Sequence, residues 1–419
     1  MKYVVCVPDG CSDHPVPELG GLTPLEAART PTLDRLAARG TVGLAAVIPE
    51  GMAPGSDVGN MSLLGYNPRE FHTGRAPIEA AALGMRLPEG QIAFRANLVV
   101  LNDDATEMVD FAGGHPDSEV AAAAMAALDE RLGGPVAHTD GHLGFTAGVQ
   151  YRHIMVAPDD WLDAECVPPH DLSGKALQWP TGPGADELRR IMDTSAEVLA
   201  EFPELAATHV WLWGQGTQPA LDDFAGRWGV AAGMVTAVDL VRGLGVLSGM
   251  DVVEVEGATG WYDTDYEAKR DAALAGLEAG ADLFVIHVEA TDEAGHAGDV
   301  AAKVEALENW DSRILTDLVE RLDTLGPWRM LLLPDHPTPV ALKTHTTEPV
   351  PYLLVDSAED GPGGIYSEPG VAEEPVIAGH RLMAELLQRE PKAREPKAGE
   401  SKAVDGRSGA AALETAVAP

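Results

Sequence analysis

Seven side chains that carry an oxygen or an imidazole group are spaced as a set of metal ligands could be. Asp292 and His296 lie four residues apart in HVEATDEAGH, so they would share one face of a helical turn. Alone, an Asp after a strand is more often a turn former or a helix cap. Together, two Asp/His pairs with a separate Asp and a separate His suit two divalent ions with mixed nitrogen and oxygen ligands. The predicted ligands are Asp9, Ser56, Asp292, His296, Asp335, His336 and His345.

Ser56 is the member of this set whose role the local sequence leaves open. It stands in GMAPGSDVGNMSLLGY, residues 51–66, before a predicted helix. It could be a nucleophile, a hydroxyl that holds a phosphate, or the N-cap of that helix. Its distant partners favour the first role, because two metal ions about 4 Å apart stabilise the attacking and leaving oxygens of a phosphoryl transfer.

The elements that would position these residues alternate between strands and helices. We predict strands at 2–7, 41–48, 209–214, 251–257, 281–289, 329–336 and 351–356, with helices between them. This alternation predicts an α/β fold on a doubly wound, mostly parallel sheet. Sites on such sheets form at the carboxyl ends of the strands, where Asp9, Asp292 and Asp335 are expected.

A change of character near residue 90 predicts a smaller α+β unit inserted into this fold. Residues 90–200 would form the cap, with strands at 94–102 and 151–158 and helices at 118–132 and 186–201. Residues 1–89 and 201–389 would form one discontinuous metal-binding phosphotransferase domain. The segment 390–419 is rich in Pro, Lys, Glu and Gly and has little to bury, so we expect it to be disordered.

Composition and charge exclude several classes of partner. The 419 residues carry a formal net charge of −37, which opposes binding to nucleic acid and to anionic membranes. The apolar runs are too short to span a bilayer, and the first residues favour a strand over a signal peptide. We therefore expect a cytoplasmic enzyme, and the sequence leaves its oligomeric state open. A small phosphorylated substrate would need metal ions or clustered arginines to overcome the overall charge.

The order of these motifs resembles that of the alkaline phosphatase superfamily and, more narrowly, the cofactor-independent phosphoglycerate mutases of the archaeal type, which also occur in bacteria. The matching strings lie between residues 1 and 385 and include GSDVGNMSLLGYNP, TGRAPIEA, VPPHDLSG, HVEATDEAGHAGD and DHPTPVALKTHTTEPVP. The resemblance implies an alkaline-phosphatase-like fold. It also implies interconversion of 3-phosphoglycerate and 2-phosphoglycerate through a phosphoserine on Ser56, with two metal ions and without bisphosphoglycerate. Mn²⁺ is the expected metal, and Zn²⁺, Co²⁺ or Mg²⁺ are alternatives.

The resemblance also divides the seven ligands between the two ions. One ion would take the ligands after the strand at 281–289 together with the last histidine of the set: Asp292, His296 and His345. The other ion would take the remaining four: Asp9, Ser56, Asp335 and His336.

Cations near the site are candidates for catalysis and substrate binding. Arg75 and Arg95 are expected to clamp the substrate carboxylate or phosphate, because a guanidinium binds either group with two parallel hydrogen bonds. Arg152, from the predicted cap, would close over the substrate. Lys269 would neutralise the phosphoserine. For each of these residues the alternative is a surface ion pair.

Three other polar residues were considered for the site. Two of them have two possible interpretations each, and the third has a structural interpretation. His170 in PPHD would shuttle a proton or anchor a loop. Asn60 would orient the substrate or cap a turn. His287 lies inside the strand predicted at 281–289, so we interpret it as a core histidine with satisfied hydrogen bonds.

Two other functions remain open. A related enzyme would move the phosphoryl group to another small alcohol, such as a homoserine-type acceptor, or to water as a phosphatase, since specificity would reside in the cap and its arginines. A catalytically silent binding protein is the third possibility. The presence of all seven ligands argues against it.

Overall fold

The computed structural model describes residues 1–137, 139 and 141–392. Within this part of the chain, the strands form one eight-stranded sheet and one six-stranded sheet. Residues 393–419 lie outside the described part, so the expected disorder of the tail stays a prediction. Among the described helices, none combines the length and the apolar character needed to cross a membrane.

The strands are numbered along the chain. They are β1 (Lys2–Pro8), β2 (Thr41–Ala46), β3 (Gln91–Leu101), β4 (Met108–Asp110), β5 (Gly134–Pro135), β6 (His142–Thr146), β7 (Arg152–Pro158), β8 (His209–Gly216), β9 (Ala232–Val235), β10 (Asp251–Val253), β11 (Leu283–Val288), β12 (Trp328–Leu332), β13 (Val350–Asp356) and β14 (Val376–Ala378).

The α-helices are numbered in the same way. They are α1 (Pro24–Ala27), α2 (Pro31–Ala37), α3 (Ser56–Leu63), α4 (Pro68–Phe71), α5 (Ala76–Ala82), α6 (Ser118–Leu132), α7 (Ala185–Leu199), α8 (Phe224–Trp228), α9 (Asp239–Leu247), α10 (Tyr266–Ala279), α11 (Ala290–Ala297), α12 (Val300–Asn309), α13 (Thr316–Leu325) and α14 (Leu382–Leu387). A π-helical segment, Trp310–Leu315, joins α12 to α13.

The large sheet has the order β10-β9-β11-β1-β12-β13-β2-β14. Its central strands β11, β1 and β12 run parallel, with Val5 of β1 opposite Val285 and Leu331. Successive side chains of β1 point to opposite faces, so Val5 and Val7 join the core formed with α3, α9 and α14, while Val4 and Cys6 join the core formed with α10, α12 and α13. The predicted α/β class and the mostly parallel sheet are confirmed.

One strand of this sheet departs from the parallel pattern. β13, predicted at 351–356, runs antiparallel to both β12 and β2. An apolar run sets no strand direction by itself, because direction depends on the length and path of the connection.

The second sheet is antiparallel and has the order β4-β3-β7-β6-β5. The sixth strand, β8, also pairs with β3. The apolar sides of α6 and α7 pack on it and form a separate core. We predicted the strand at 209–214 in the large sheet, and that placement is wrong, since Val210 of β8 pairs with Leu98 of β3. A buried run such as HVWLWG fits either sheet, so only the tertiary pairing decides. The second sheet therefore continues to Gly216, beyond the predicted cap boundary at residue 200, and the division into domains otherwise stays a prediction.

The start of α3 is held against the large sheet by a close backbone approach. A Cβ atom on Gly59 would lie 2.1 Å from the carbonyl oxygen of Asp335. This neighbour is backbone and cannot rotate away. Gly59 therefore allows α3, which begins at Ser56, to lie directly beside the loop that carries Asp335.

We expect Gly59→Ala to force α3 away from this loop. Overpacking of this kind costs about 1–3 kcal/mol of unfolding free energy, which urea unfolding would measure. Gly260→Ala is the matched control, because a Cβ at that position meets nothing within 4 Å. A Gly59→Ala protein as stable as the control would contradict the close approach.

Candidate active site

The carboxyl ends of β11, β1 and β12 meet at one edge of the large sheet. Asp9 follows β1 directly, and Asp292 lies on α11 just after β11. Asp335 lies in the loop that follows β12. The structure brings all the predicted ligands together at this edge: Asp9, Ser56, Asp292, His296, Asp335, His336 and His345.

Asp292, His296 and His345 form the first group of ligand atoms. The Nε2 atom of His296 lies 3.3 Å from Asp292 Oδ2 and 2.9 Å from His345 Nε2. His345 Nε2 lies 3.5 Å from Asp292 Oδ1. Ligand atoms bound tetrahedrally at about 2.1 Å from one ion are about 3.4 Å apart, so these separations fit a shared divalent cation.

His336 is at the centre of the second group. Its Nε2 atom lies 3.5 Å from Asp9 Oδ1, 3.5 Å from Asp335 Oδ2 and 3.2 Å from Ser56 Oγ. These separations also match the edges of a metal coordination sphere. Ser56 is therefore close enough to share an ion with His336.

Thr338 and Gly10 join the two groups. The Thr338 hydroxyl donates a hydrogen bond to Asp292 Oδ1 and lies 3.2 Å from His336 Nδ1. The Gly10 amide donates to Asp335 Oδ1 at 3.3 Å. Gly10 has φ +62°, and a Cβ there would lie 2.5 Å from Asp292 Oδ1, so only glycine leaves room for this carboxylate beside Asp9.

Burial and neighbouring charges shift the pKa values of several residues in the cluster. Burial raises the pKa of Asp9, and the neighbouring carboxylates of Asp335 and Asp292 raise it further. Burial lowers the pKa of His336 to about 4, so its imidazole is neutral and can donate a lone pair. Burial alone would lower the pKa of His296, but its hydrogen bond to Asp292 raises it to about 9. Buried carboxylates beside imidazole nitrogens are a donor set that fits divalent cations.

Ser56 is the first residue of α3, and Gly55 occupies the N-cap position. The interpretation of Ser56 as the cap itself is therefore wrong. Asn60, one turn later, donates to Asp335 Oδ2 at 2.7 Å and to the Ser56 carbonyl at 3.0 Å. Asn60 thus orients the Asp335 side chain and the backbone of Ser56, and its predicted contact with substrate stays a prediction. On the same helix, Asp57 Oδ2 lies 2.8 Å from His72 Nε2.

Arg75 and Arg95 share one carboxylate. Arg75 Nε lies 3.0 Å and Arg95 Nη1 lies 3.1 Å from Glu79 Oε1. Both guanidinium groups lie over the Trp213 ring, Arg95 at 4.8 Å and Arg75 at 5.8 Å from its centroid. The side chain of Arg75 is 31% exposed and that of Arg95 is 4% exposed. Arg75 is therefore the more accessible of the pair.

The second sheet contributes two more predicted residues. The His170 ring packs edge-on against Trp213, with ring centroids 5.4 Å apart. Burial lowers the pKa of His170, and the charges of Arg75, Arg95 and His345 act in the same direction, while the charge of Asp171 raises it. Arg152 lies over the Tyr151 ring, with its guanidinium carbon 5.3 Å from the ring centroid.

Glu293 of α11 stands next to Asp292 in the chain and has a raised pKa. Burial and the charge of Asp292 raise its pKa to about 7, while His296 and Arg152 act in the opposite direction. The closure of Arg152 over a substrate stays a prediction.

Lys269, expected to neutralise the phosphoserine, lies in a buried ion pair with Glu289. It is fully buried, and its ammonium donates to Glu289 and to the His287 carbonyl, at 3.0 Å for the latter. Its charge is thus matched by a buried carboxylate on the β11 side of the site. The proposed contact with a phosphoserine stays a prediction.

Four residues of the site did not emerge from the sequence. Glu79 stands four residues after Arg75, and this helical ion-pair spacing could have revealed it. Thr338 lies within the DHPTP string, and Glu289 lies within HVEATD. Trp213 did not emerge as a single residue, although its strand HVWLWGQG fits a core strand that also forms the floor of a site.

Comparisons with known proteins identify the family to which this chain is related. A sequence model of the family described as 2,3-bisphosphoglycerate-independent phosphoglycerate mutase matches residues 37–204. The probable 2,3-bisphosphoglycerate-independent phosphoglycerate mutase of Geobacter sulfurreducens is 43% identical over 93% of this chain and 100% of its own length. The 2,3-bisphosphoglycerate-independent phosphoglycerate mutase of Methanosarcina barkeri is 42% identical over 84% of this chain and 90% of its own length.

Two solved structures resemble this one. The PH0037 protein from Pyrococcus horikoshii has a TM-score of 0.72 at 27% identity and covers 94% of this chain and 99% of its own. The cofactor-independent phosphoglycerate mutase from Thermoplasma acidophilum has a TM-score of 0.57 at 22% identity, covers 93% of this chain and 99% of its own, and supports the fold alone. Because a curated relative is 43% identical along its whole length, the chain belongs to the 2,3-bisphosphoglycerate-independent phosphoglycerate mutases.

Proposed function

We propose that the protein interconverts 3-phosphoglycerate and 2-phosphoglycerate, with Ser56 carrying the phosphoryl group and two divalent ions bound beside it. The observation that carries this proposal is the position of Ser56 Oγ, 3.2 Å from His336 Nε2 and at the edge where both ligand groups meet. The names of the relatives support an activity that needs no 2,3-bisphosphoglycerate.

The ligands would divide as the two groups suggest. Asp292, His296 and His345 would hold one ion, and the other would be held by Asp9, Ser56, Asp335 and His336. When bound, the ions supply positive charge that stabilises the phosphoryl oxygens and favours the ionised Ser56 hydroxyl. Mixed nitrogen and oxygen donors suit Mn²⁺, and Zn²⁺, Co²⁺ or Mg²⁺ are the alternatives.

Ser56 would exchange the phosphoryl group with one substrate in two balanced steps. First, Ser56 Oγ forms a bond to phosphorus, the bond from phosphorus to the substrate oxygen breaks, and that oxygen takes a proton. The glycerate then turns over in the site. Its other hydroxyl loses a proton and forms a bond to phosphorus, and the bond to Ser56 Oγ breaks. His170 is the proposed proton carrier: its protonated form would give a proton to the leaving substrate oxygen in the first step, and the neutral imidazole would take one from the other hydroxyl in the second.

Arg75, Arg95 and Arg152 would hold the substrate while it turns. Arg75 is the exposed member of the pair and would bind the carboxylate or phosphate with two hydrogen bonds. Arg95, shared through Glu79, would fix the orientation of Arg75. Arg152 would approach from the second sheet. Three cations at this point would offset locally the net charge of −37.

We expect Ser56→Ala to lower the rate of 2-phosphoglycerate formation by more than about a thousandfold, since removal of a nucleophile leaves only binding and electrostatic effects. Metal content should be retained. Ser62→Ala is the matched control, because Ser62 lies on the same helix and donates only to the Val47 carbonyl, at 2.6 Å. Near-normal turnover by Ser56→Ala would refute the proposal. Inorganic phosphate as the main product of the unaltered protein would favour the phosphatase alternative.

Removal of the metal ions should abolish activity and lower the melting temperature. At a free ion concentration of 100 times its Kd, each bound ion adds about 2.7 kcal/mol to the unfolding free energy. Calorimetry and the coupled assay would be run after chelation and again after Mn²⁺ is restored. Asp292→Asn should show a smaller metal-dependent rise in melting temperature. A chelated protein that keeps its activity and melting temperature would contradict the two-ion site.

Arg75→Met should raise KM for 3-phosphoglycerate by about 10- to 100-fold, because a hydrogen bond to a charged group contributes about 1.5–3 kcal/mol. Initial-rate kinetics would measure the change. Arg131→Met is the control, since Arg131 is 61% exposed on α6 and pairs with Glu197. An unchanged KM would remove Arg75 from the substrate site.

A further inference from the structure

Phe111 is a large apolar side chain that the proposed chemistry does not use. It follows β4 directly and is 37% exposed. Its ring lies edge-on to the ring of His170, with the two centroids 6.3 Å apart and the planes at 75°. Trp213 also lies edge-on to this imidazole, at 5.4 Å and 75°. Two aromatic rings therefore pack on the side chain of His170.

Among the described residues, no hydrogen bond fixes the orientation of the His170 ring. Its ion-pair partner is Asp171, but His170 Nε2 lies 3.8 Å from Asp171 Oδ1, which is too long for a hydrogen bond. A histidine that moves protons is often oriented by a hydrogen bond to its second nitrogen. In His170 the edge-on contacts with Phe111 and Trp213 take that place, because aromatic pairs prefer this geometry at centroid distances of about 4.5–7 Å.

The backbone around Phe111 is held in one conformation. The preceding residue, Asp110, accepts a hydrogen bond from the Gly114 amide at 2.7 Å, which closes the turn. Gly113 has φ +61°, and a Cβ atom there would lie 2.7 Å from the Leu98 carbonyl oxygen. The turn that carries Phe111 therefore lies directly on β3, where the second sheet is widest in hydrogen bonding.

The segment before Phe111 also pairs with the segment after His170. Met108 of β4 forms a β-bridge with Ser173, and the Gly174 amide donates to the Met108 carbonyl at 2.8 Å. Backbone pairing on this scale sets the separation of the two side chains. The contact between the rings of Phe111 and His170 is thus built into the second sheet.

We propose that Phe111 is a positioning residue for the reaction, and that its ring, together with that of Trp213, aims the imidazole of His170 at the substrate oxygens. The inference rests on the role of His170 as proton carrier in the proposed function. There His170 gives a proton to the leaving oxygen and takes one from the other hydroxyl, so its ring has to keep its aim through both steps. A misplacement of about 1 Å lowers a rate by up to about a hundredfold.

Phe111→Ala should lower kcat for 2-phosphoglycerate formation by about 10- to 100-fold. KM should stay nearly unchanged, because a phenyl ring offers no group that binds phosphate or carboxylate. Phe111→Tyr keeps the ring edge and should restore most of kcat. Leu162→Ala is the matched control, since Leu162 is 38% exposed, and it should keep kcat. An unchanged kcat in Phe111→Ala, or no recovery in Phe111→Tyr, would overturn the inference.

The pH dependence of kcat/KM separates positioning from a general loss of structure. Burial lowers the pKa of His170, and four charged groups also act on it: Asp171, which raises the pKa, and Arg75, Arg95 and His345, which lower it. Loss of the Phe111 ring admits water to the imidazole and so raises its pKa. The limb of the profile that His170→Asn removes should therefore move to higher pH in Phe111→Ala. A limb at the same pH would overturn the inference.

Failure of this inference and failure of the proposed function give different results. Full turnover by His170→Asn would contradict the proton carrier of the proposed function, and this inference with it. A large loss of kcat in His170→Asn beside an unimpaired Phe111→Ala would overturn the positioning role of Phe111 alone.

Discussion

The arrangement of the site depends on how the repulsion among the buried carboxylates of Asp9, Asp292 and Asp335 is offset. Three adjacent parallel strands deliver these groups to one edge of the sheet, where Asp335 is fully buried and the other two are nearly so. Burial and the neighbouring carboxylates raise the pKa of Asp9, which means that its ionised form is unfavourable without added positive charge. Imidazole nitrogens beside the carboxylates form a donor set that suits divalent ions as the source of that charge.

Buried lysine side chains also offset carboxylate charge, on the side of the site away from solvent. Lys269 pairs with Glu289, and Lys303 pairs with Asp13 at 2.8 Å while donating to the Thr338 carbonyl at 2.8 Å. Thr338 in turn bonds Asp292. These pairs hold the loops that carry the ligands, and removal of either member would leave a buried charge without a partner.

The sequence predicted the ligand edge well, because strand ends and short local motifs determine it. Asp9, Asp292 and Asp335 follow apolar runs, and parallel neighbours place the ends of those runs together. The role of Lys269 stays a prediction, because a helical lysine gives no sign of whether it faces a cleft or a buried carboxylate. The strand at 209–214 was assigned to the wrong sheet because its apolar character fits both. From the sequence, His287 looked like a core histidine with satisfied hydrogen bonds. Its Nε2 atom, which has no hydrogen-bond partner among the described residues, distinguishes it from one.

The shared contact of Arg75 and Arg95 with Glu79 lies at the seam between the two sheets. Arg75 and Glu79 belong to the start of α5, whereas Arg95 and Trp213 belong to β3 and β8 of the second sheet. Ser56 and the predicted metal ligands belong to the large sheet and its loops. Under the proposed function, bond making would be encoded in the large sheet and its loops, and the choice of molecule partly in the second sheet. Descent with modification could exchange the insert and redirect the enzyme to a new metabolite while its reactive centre stayed intact.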